Sequence, residues 1–364
     1  MSDARKPSTD ISRRAVLIGG ALGAGALPLG AAAALPFLSP AADPLAGLQE
    51  ICRSGPATVA GPAGAPVKIK LAWNATAICT AVAPVAQEKG VFAKHGLEVE
   101  FVNFGGSTET LLEAIATGKA DAGIGMALRW LKPLEQGFDV KITAGVHGGC
   151  LRLLAGKDKG IASLADLKGK SVAISDQASP AKNFFSVALA KAGLNPETDV
   201  NWRQYPGELL PLAIQKGEAD ALADSDPKTF IWLKDGALTE VATNLTGDYK
   251  DRTCCLLSVR GSLIRDDKPV AAALTKAVLE AGHLVAEDPR FAAEAYAKYG
   301  GKGSIEDLAR ILVTQDHHHR PIGDELKKQI ELYADELKLV NVFKPRTDTA
   351  KFAERVYADV LTSA

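Results

Sequence analysis

Two phrases of the chain repeat one pattern. Ile115-Ala116-Thr117-Gly118-Lys119-Ala120-Asp121-Ala122 and Ile214-Gln215-Lys216-Gly217-Glu218-Ala219-Asp220-Ala221 each run from an apolar helix end, through a glycine, into the start of an apolar strand. Glycine ends helices because it adopts the left-handed backbone without strain. The flanks carry the same alternation. Period-two or short apolar runs predict strands at Val67–Trp73, Leu97–Val102, Ala120–Gly125 and Val140–Val146, then at Ser171–Ile174, Val200–Tyr205 and Ala219–Ala223. Helices are predicted over 76–93, from the Gly105-Gly106-Ser107-Thr108 turn to Ala116, and over 127–136, 180–192 and 209–216. From Val270 onward the chain reads mostly as amphipathic helix. Strands alternating with helices imply a parallel sheet covered on both faces, and the repeat implies two α/β lobes of one architecture.

The 364 residues leave ample core for two lobes, and 47% hydrophobic with 23% charged residues is ordinary globular composition. A net charge of −1 offers no basic surface to nucleic acid. The first 42 residues differ from the rest. Ser12-Arg13-Arg14-Ala15-Val16-Leu17 leads a charge-free run from Ala15 to Ala42, which reads as a twin-arginine export signal. Pro28, Pro36 and Pro40 count against the alternative, a membrane anchor. Cleavage is expected at Ala32-Ala33-Ala34 or Ser39-Pro40-Ala41, and an uncleaved signal would hold the protein at the membrane. Residues 43–66, with Gly55-Pro56 and Gly61-Pro62, read as a linker. A periplasmic location follows. Lipid anchoring at Cys52 is not expected, because no small residue precedes it.

Glu88-Lys89-Gly90-Val91-Phe92-Ala93-Lys94-His95-Gly96-Leu97, the Gly105–Thr108 turn, Gly118-Lys119-Ala120-Asp121-Ala122-Gly123 and Ser163-Leu164-Ala165-Asp166-Leu167-Lys168-Gly169-Lys170 occur in this order. With these phrases the chain resembles the type II periplasmic solute-binding proteins of the nitrate, sulfonate and taurine group. The resemblance implies a two-lobed α/β fold of the periplasmic-binding-protein type II with a ligand cleft between the lobes. Lobe one would hold 67–150 plus 256–364 and lobe two 151–255, with crossings near Gly149–Leu151 and Thr253–Leu256. It also implies a small-molecule solute, an ABC permease as partner, a monomer, hinge closure and no cofactor.

Ligands in open α/β sheets sit beyond the carboxyl ends of strands, where helix N-termini favour anions. The expected contacts are therefore Trp73, Asn74, Thr76, Gly106, Ser107, Thr108 and Gly125 from lobe one, Cys150 at the crossing, and Gln177, Ser179, Asp224 and Asp226 from lobe two. Ser107, Thr108 and Ser179 read equally as helix caps, and Trp73 equally as core. Arg152 is the one cation expected near the cleft.

The cysteines leave three readings open: a Cys150 disulfide across the hinge, buried free thiols, or a soft-metal site of His147, Cys150, Cys254 and Cys255. His317-His318-His319 before Arg320-Pro321 reads as a polar surface turn. No Gly-x-Ser-x-Gly, Walker or His-Glu-x-x-His motif is present, so no enzyme is expected. Thiamine-precursor pyrimidine synthases share the implied fold and an iron motif rich in cysteine, which makes them the one enzymatic alternative. Their cofactor lysine and its histidine have no counterpart in Asn74-Ala75-Thr76-Ala77-Ile78-Cys79.

Overall fold

The computed structural model describes residues 64–362. The export signal, its cleavage sites, Cys52 and the linker up to residue 63 lie outside the described residues. No helix among the described residues is long and apolar enough to cross a membrane.

Two five-stranded sheets carry the fold. The first contains β1 (Val67–Trp73), β2 (Leu97–Asn103), β3 (Ala122–Met126), β4 (Val140–Gly148) and, far later in the chain, β10 (Thr253–Arg260). Its order is β2-β1-β3-β10-β4, with β1 parallel to β2 and β3, and β10 antiparallel to β3 and β4. The second contains β5 (Leu151–Gly156), β6 (Ser171–Ile174), β7 (Asn201–Gln204), β8 (Ala221–Ser225) and β9 (Leu238–Thr243), in the order β7-β6-β8-β5-β9. Its β6 is parallel to β7 and β8, and β5 is antiparallel to β8 and β9. The two sheets thus share one topology. The sequence pattern predicts the parallel strands, but β5, β9 and β10 are additional. Their runs are buried throughout or lack clean alternation, so they read as connections.

The repeated phrase has the same structural job in both lobes. Gly118 and Gly217 adopt φ of +71° and +72°, closing helices α3 (Thr108–Ala116) and α6 (Leu210–Gln215). Asp121 then accepts the N–H of Lys70 from β1 at 2.9 Å, and Asp220 accepts that of Ser171 at the start of β6, also at 2.9 Å. Each aspartate satisfies a backbone donor where the central strand begins, which explains why a charged residue recurs at an apolar strand start.

The remaining helices cover the sheets. The predicted helix over 76–93 is instead three pieces: a 3₁₀ turn at Ile78–Thr80, α1 (Val82–Glu88) and α2 (Val91–Lys94). Thr80 Oγ1 donates to the carbonyls of Asn74 and Ala77, which tightens the first turn, and Gly90 at φ +68° separates the two helices. Further along lie α4 (Ala127–Glu135), α5 (Pro180–Lys191) and α7 (Lys228–Lys234). After β10 come α8 (Gly261–Asp266), α9 (Lys268–Glu287), α10 (Pro289–Lys298), α11 (Ile305–Thr314), α12 (Gly323–Leu339) and α13 (Thr349–Val356). A large core joins the first sheet to these helices, while Leu154, Leu210, Leu222 and Leu238 anchor a smaller core in the second lobe.

The chain passes between the sheets twice, at Gly149-Cys150 and over residues 244–252. β10 already belongs to the first sheet from Thr253, so Cys254 and Cys255 lie in lobe one rather than lobe two. β4 is the outer strand of its sheet, and residues 316–321 cover its edge: Gly145 N donates to Pro321 O at 2.8 Å and Gly148 N to Asp316 O at 2.9 Å. A β4 edge left bare would invite pairing with another chain. The cover requires glycine. A Cβ at Gly145 would stand 2.5 Å from Thr253 Oγ1 and 2.7 Å from Pro321 Cδ. Gly145→Ala is expected to cost about 1–3 kcal/mol through overpacking, seen as a lower urea midpoint at unchanged slope. A wild-type midpoint would mean the Pro321 segment moves aside freely.

Candidate functional site

A cleft of about 1140 Å³ opens between the lobes, at the carboxyl ends of the parallel strands. Lobe one lines it with Asn74 and Thr76 after β1, Gly106-Ser107-Thr108 after β2, and Met126 and Arg129 after β3. Lobe two contributes Ser175 to Ser179 after β6, Lys182, and Asp224 with Lys228 after β8. Each group sits where a strand gives way to a helix, as the βα geometry dictates.

The turn after β2 is built around Asn74. Its Oδ1 accepts from Thr76 N at 3.0 Å and Thr76 Oγ1 at 2.9 Å. Gly106 lies against these groups at φ +86°, and a Cβ there would come within 3.4 Å of Asn74 Nδ2. Ser107 caps α3 by accepting from Thr110 N at 3.2 Å, and Ser179 caps α5 by accepting from Lys182 N at 3.2 Å. Both serines cap a helix and line the cleft, so the two readings coincide. One capped helix N-terminus from each lobe reaches the same space, each with the positive end of its dipole.

Arg129 was not anticipated from the sequence, where an arginine in a helix reads as a solvent-facing charge. It is 6% exposed, in the first turn of α4. One terminal nitrogen, Nη1, donates to Gly106 O and to Thr108 Oγ1, both at 2.6 Å, while Nε has no hydrogen-bond partner among the described residues. Both acceptors are neutral, and Arg129 forms no ion pair among the described residues. Burial pushes its pKa below the usual arginine range. A signal did exist in Gly125-Met126-Ala127-Leu128-Arg129-Trp130: a lone cation one turn past a strand end. The other cleft cations are occupied, Lys182 by Gln177 Oε1 at 2.9 Å and Lys228 by Asp224.

Asn74, Thr76, Gly106, Ser107, Thr108, Gln177, Ser179 and Asp224 are brought together in the cleft. Four expected contacts lie elsewhere. Trp73 is core: its ring packs 5.3 Å from Phe101 and 6.1 Å from Tyr299. Gly125 faces the Trp130 indole, where a Cβ would approach Nε1 to 3.2 Å. Cys150 is buried at the crossing, its N–H donated to Asn244 Oδ1 at 2.8 Å. Asp226 is fully buried in lobe two, accepting from Arg152 Nε at 3.0 Å, Thr229 Oγ1 at 2.6 Å and Phe230 N at 3.1 Å. Arg152 is itself held by Asp226 and Glu240 and does not line the cleft, so the cation expected there is replaced by Arg129.

The cysteines and histidines also rearrange. Cys150 and Cys254 are thiols with sulfurs 3.1 Å apart. His147 and Cys255 face a residue the sequence did not bring into the set, Cys79. His317 is not in a surface turn: it is 1% exposed and stacks on His147 with centroids 4.9 Å apart. The edge-covering segment carries it inward.

Two α/β lobes of one topology around a cleft define a binding protein of the periplasmic solute-binding fold. The chain belongs to the NMT1-like family, whose sequence model matches residues 63–298. Its fold is that of the alkanesulfonate-binding protein SsuA from Xanthomonas axonopodis pv. citri bound to MOPS, with a TM-score of 0.67 at 20% identity over 80% of this chain and 99% of that one. The periplasmic nitrate-binding protein NrtA from Synechocystis PCC 6803 gives 0.68 at 16% identity, covering 81% and 87%. In sequence, the chain is 28% identical over 226 residues to the nitrate import ATP-binding protein NrtC of Synechococcus elongatus. That match takes in 57% of this chain and spans 33% of NrtC's length.

The buried Arg152–Asp226 pair gives the first prediction for this region. Asp226→Ala is expected to lower unfolding free energy by about 3 kcal/mol, the low end for a broken buried pair because Glu240 still holds Arg152. Urea denaturation measures it, and a loss under about 0.5 kcal/mol would make Asp226 no more than a surface residue in energetic terms.

Proposed function

We propose that this chain is the extracytoplasmic solute-binding subunit of an ABC importer and takes a small nitrate- or sulfonate-like anion into the cleft. The observation that carries the reading is Arg129. A buried cation that makes no ion pair among the described residues, with Asp176 and Asp224 acting on it only at a distance, is costly, and an anion in the cleft would neutralise it at close range. The helix ends at Ser107 and Ser179 add N–H donors from both lobes. The names of the nitrate- and sulfonate-binding neighbours agree with an anion. Export by the twin-arginine route to the periplasm, a monomeric state, a permease partner and the absence of catalysis belong to the same proposal. They rest on the Arg13-Arg14 segment and on the family.

Hinge closure belongs to the same proposal. An anion seated on Arg129 and the α3 N-terminus meets lobe two only when Ser179 and the α5 N-terminus swing toward it. Ligand would therefore favour the closed population by its added contacts there.

Titration calorimetry with nitrate, taurine, an alkanesulfonate and an uncharged solute of similar size tests the charge argument. Arg129→Gln is expected to weaken the best anion by about 2–5 kcal/mol, about 30-fold or more. Equal affinity in the variant, or tightest binding of the uncharged solute, overturns the anion assignment. Small-angle scattering tests closure independently: saturating anion should reduce the radius of gyration, and an unchanged curve removes the hinge mechanism.

A further inference from the structure

Beside the hinge, and apart from the cleft, three metal-ligating side chains converge from three segments. Cys79 comes from the 3₁₀ turn after β1, His147 from the end of β4 and Cys255 from β10. Cys255 and His147 are direct cross-strand partners, which places them side by side. One ligand atom from each of the three lies within 4.8 Å of the others. Cys79 is 1% exposed and the other two 0%. None lines the cleft, although Met126, the cross-strand partner of Cys255, does.

Hydrogen bonding leaves this group incomplete. His147 Nδ1 donates to Gly148 O at 2.8 Å, which fixes the tautomer and leaves Nε2 with the ring's lone pair. That Nε2 is buried with no hydrogen-bond partner among the described residues. A histidine whose far nitrogen is anchored to a carbonyl and whose near nitrogen meets sulfur is arranged as metal ligands are. His317 stacks on it, with ring centroids 4.9 Å apart.

We propose that Cys79, His147 and Cys255 form a resident site for a thiophilic d10 cation, Cu⁺ or Zn²⁺. Two sulfurs and an imidazole select such ions over hard cations. Binding forms two metal–sulfur bonds and one metal–nitrogen bond and releases the two thiol protons to solvent. Cu⁺ is satisfied by these three donors. Zn²⁺ takes four, so it would need one donor beyond these three. Complete burial makes the ion part of the protein and not its transported solute. It ties the turn after β1, which carries the cleft residues Asn74 and Thr76, to the strands that lead into and out of the crossings.

The full chain, reduced and stripped with chelator, is titrated separately with Cu⁺ and Zn²⁺ against a competing chelator. Native mass spectrometry counts retained ions and X-ray absorption reads their neighbours. One ion per chain is expected, with two sulfurs and one nitrogen for Cu⁺, or two sulfurs, one nitrogen and one further donor for Zn²⁺. Cys255→Ser and His147→Gln should each weaken retention by more than the about 10–100-fold typical of changes around a ligand. Cys254→Ser should retain Cu⁺. Should the buried variants fail to fold, the wild-type spectrum alone decides. No ion retained by the wild-type chain, a shell of oxygen and nitrogen only, or a Cys79–Cys255 disulfide in protein taken from the periplasm overturns the proposal.

Discussion

The two chain crossings are the constraint on which the rest of the molecule depends. Asn244 Oδ1 accepts the backbone N–H of Cys150 at 2.8 Å and of Leu151 at 2.7 Å, so one carboxamide binds the first crossing to the second. Gly149, at φ +50°, lies so close that a Cβ would meet Leu245 Cδ2 at 2.7 Å. Two strands fastened side by side bend together but resist shear. Any relative movement of the lobes, such as the closure proposed above, would run about this one line. The C-terminal helix α12 adds a second restraint. Its Glu336 holds Arg252 of the crossing at 2.7 Å and Lys191 of lobe two at 2.5 Å. Glu336 thus links the crossing to α5, the helix whose N-terminus enters the cleft.

Charge is distributed to suit that geometry. In lobe two the buried cation Arg152 is neutralised within the lobe by Asp226 and Glu240. In lobe one Arg129 hydrogen-bonds a carbonyl and a hydroxyl and lies over the Phe104 ring, with Asp176 and Asp224 acting on it only at a distance. On the proposed reading, Arg129 would engage an anion first, because it carries the one cleft guanidinium outside an ion pair among the described residues. Lobe two faces it with Ser179, Gln177, the Lys228–Asp224 pair, Asp176 and Lys182.

Much of this architecture was legible because glycine and aspartate mark fixed backbone tasks. The Gly118/Gly217 and Asp121/Asp220 equivalences expose the internal repeat, and the repeat exposes two lobes of one architecture. Site residues near those landmarks were legible too: Asn74, Ser107 and Ser179 follow strand ends directly. The failures share a cause, which is partners distant in sequence. Trp73 is core because Tyr299 arrives from a helix more than two hundred residues later. Arg129 is buried because the turn after β2 closes over it. His317 sits in a polar run, yet it is inside because Asp316 and Pro321 both bond to the edge of β4. Local pattern carries periodicity and caps; it does not carry which loop covers which edge.

The cysteine cluster shows what that missing information hides. From the crossings the family resemblance implies, Cys150, Cys254 and Cys255 read as one hinge group. In the fold the cluster divides into the Cys150–Cys254 thiol contact at the crossing and the Cys79–His147–Cys255 triad inside lobe one. A disulfide at the first would bear on hinge motion, and a metal at the second would bear on the rigidity of the cleft wall. The order of events separates them. If the chain folds before export, as the twin-arginine reading proposes, the triad is enclosed while the surroundings are still reducing. Thiols enclosed in that state are protected from later oxidation and can hold a soft ion through export. The Cys150–Cys254 contact is buried too, at 0% and 4% exposure, but it lies at the crossing, where the proposed hinge motion would be what opens it to an oxidising compartment.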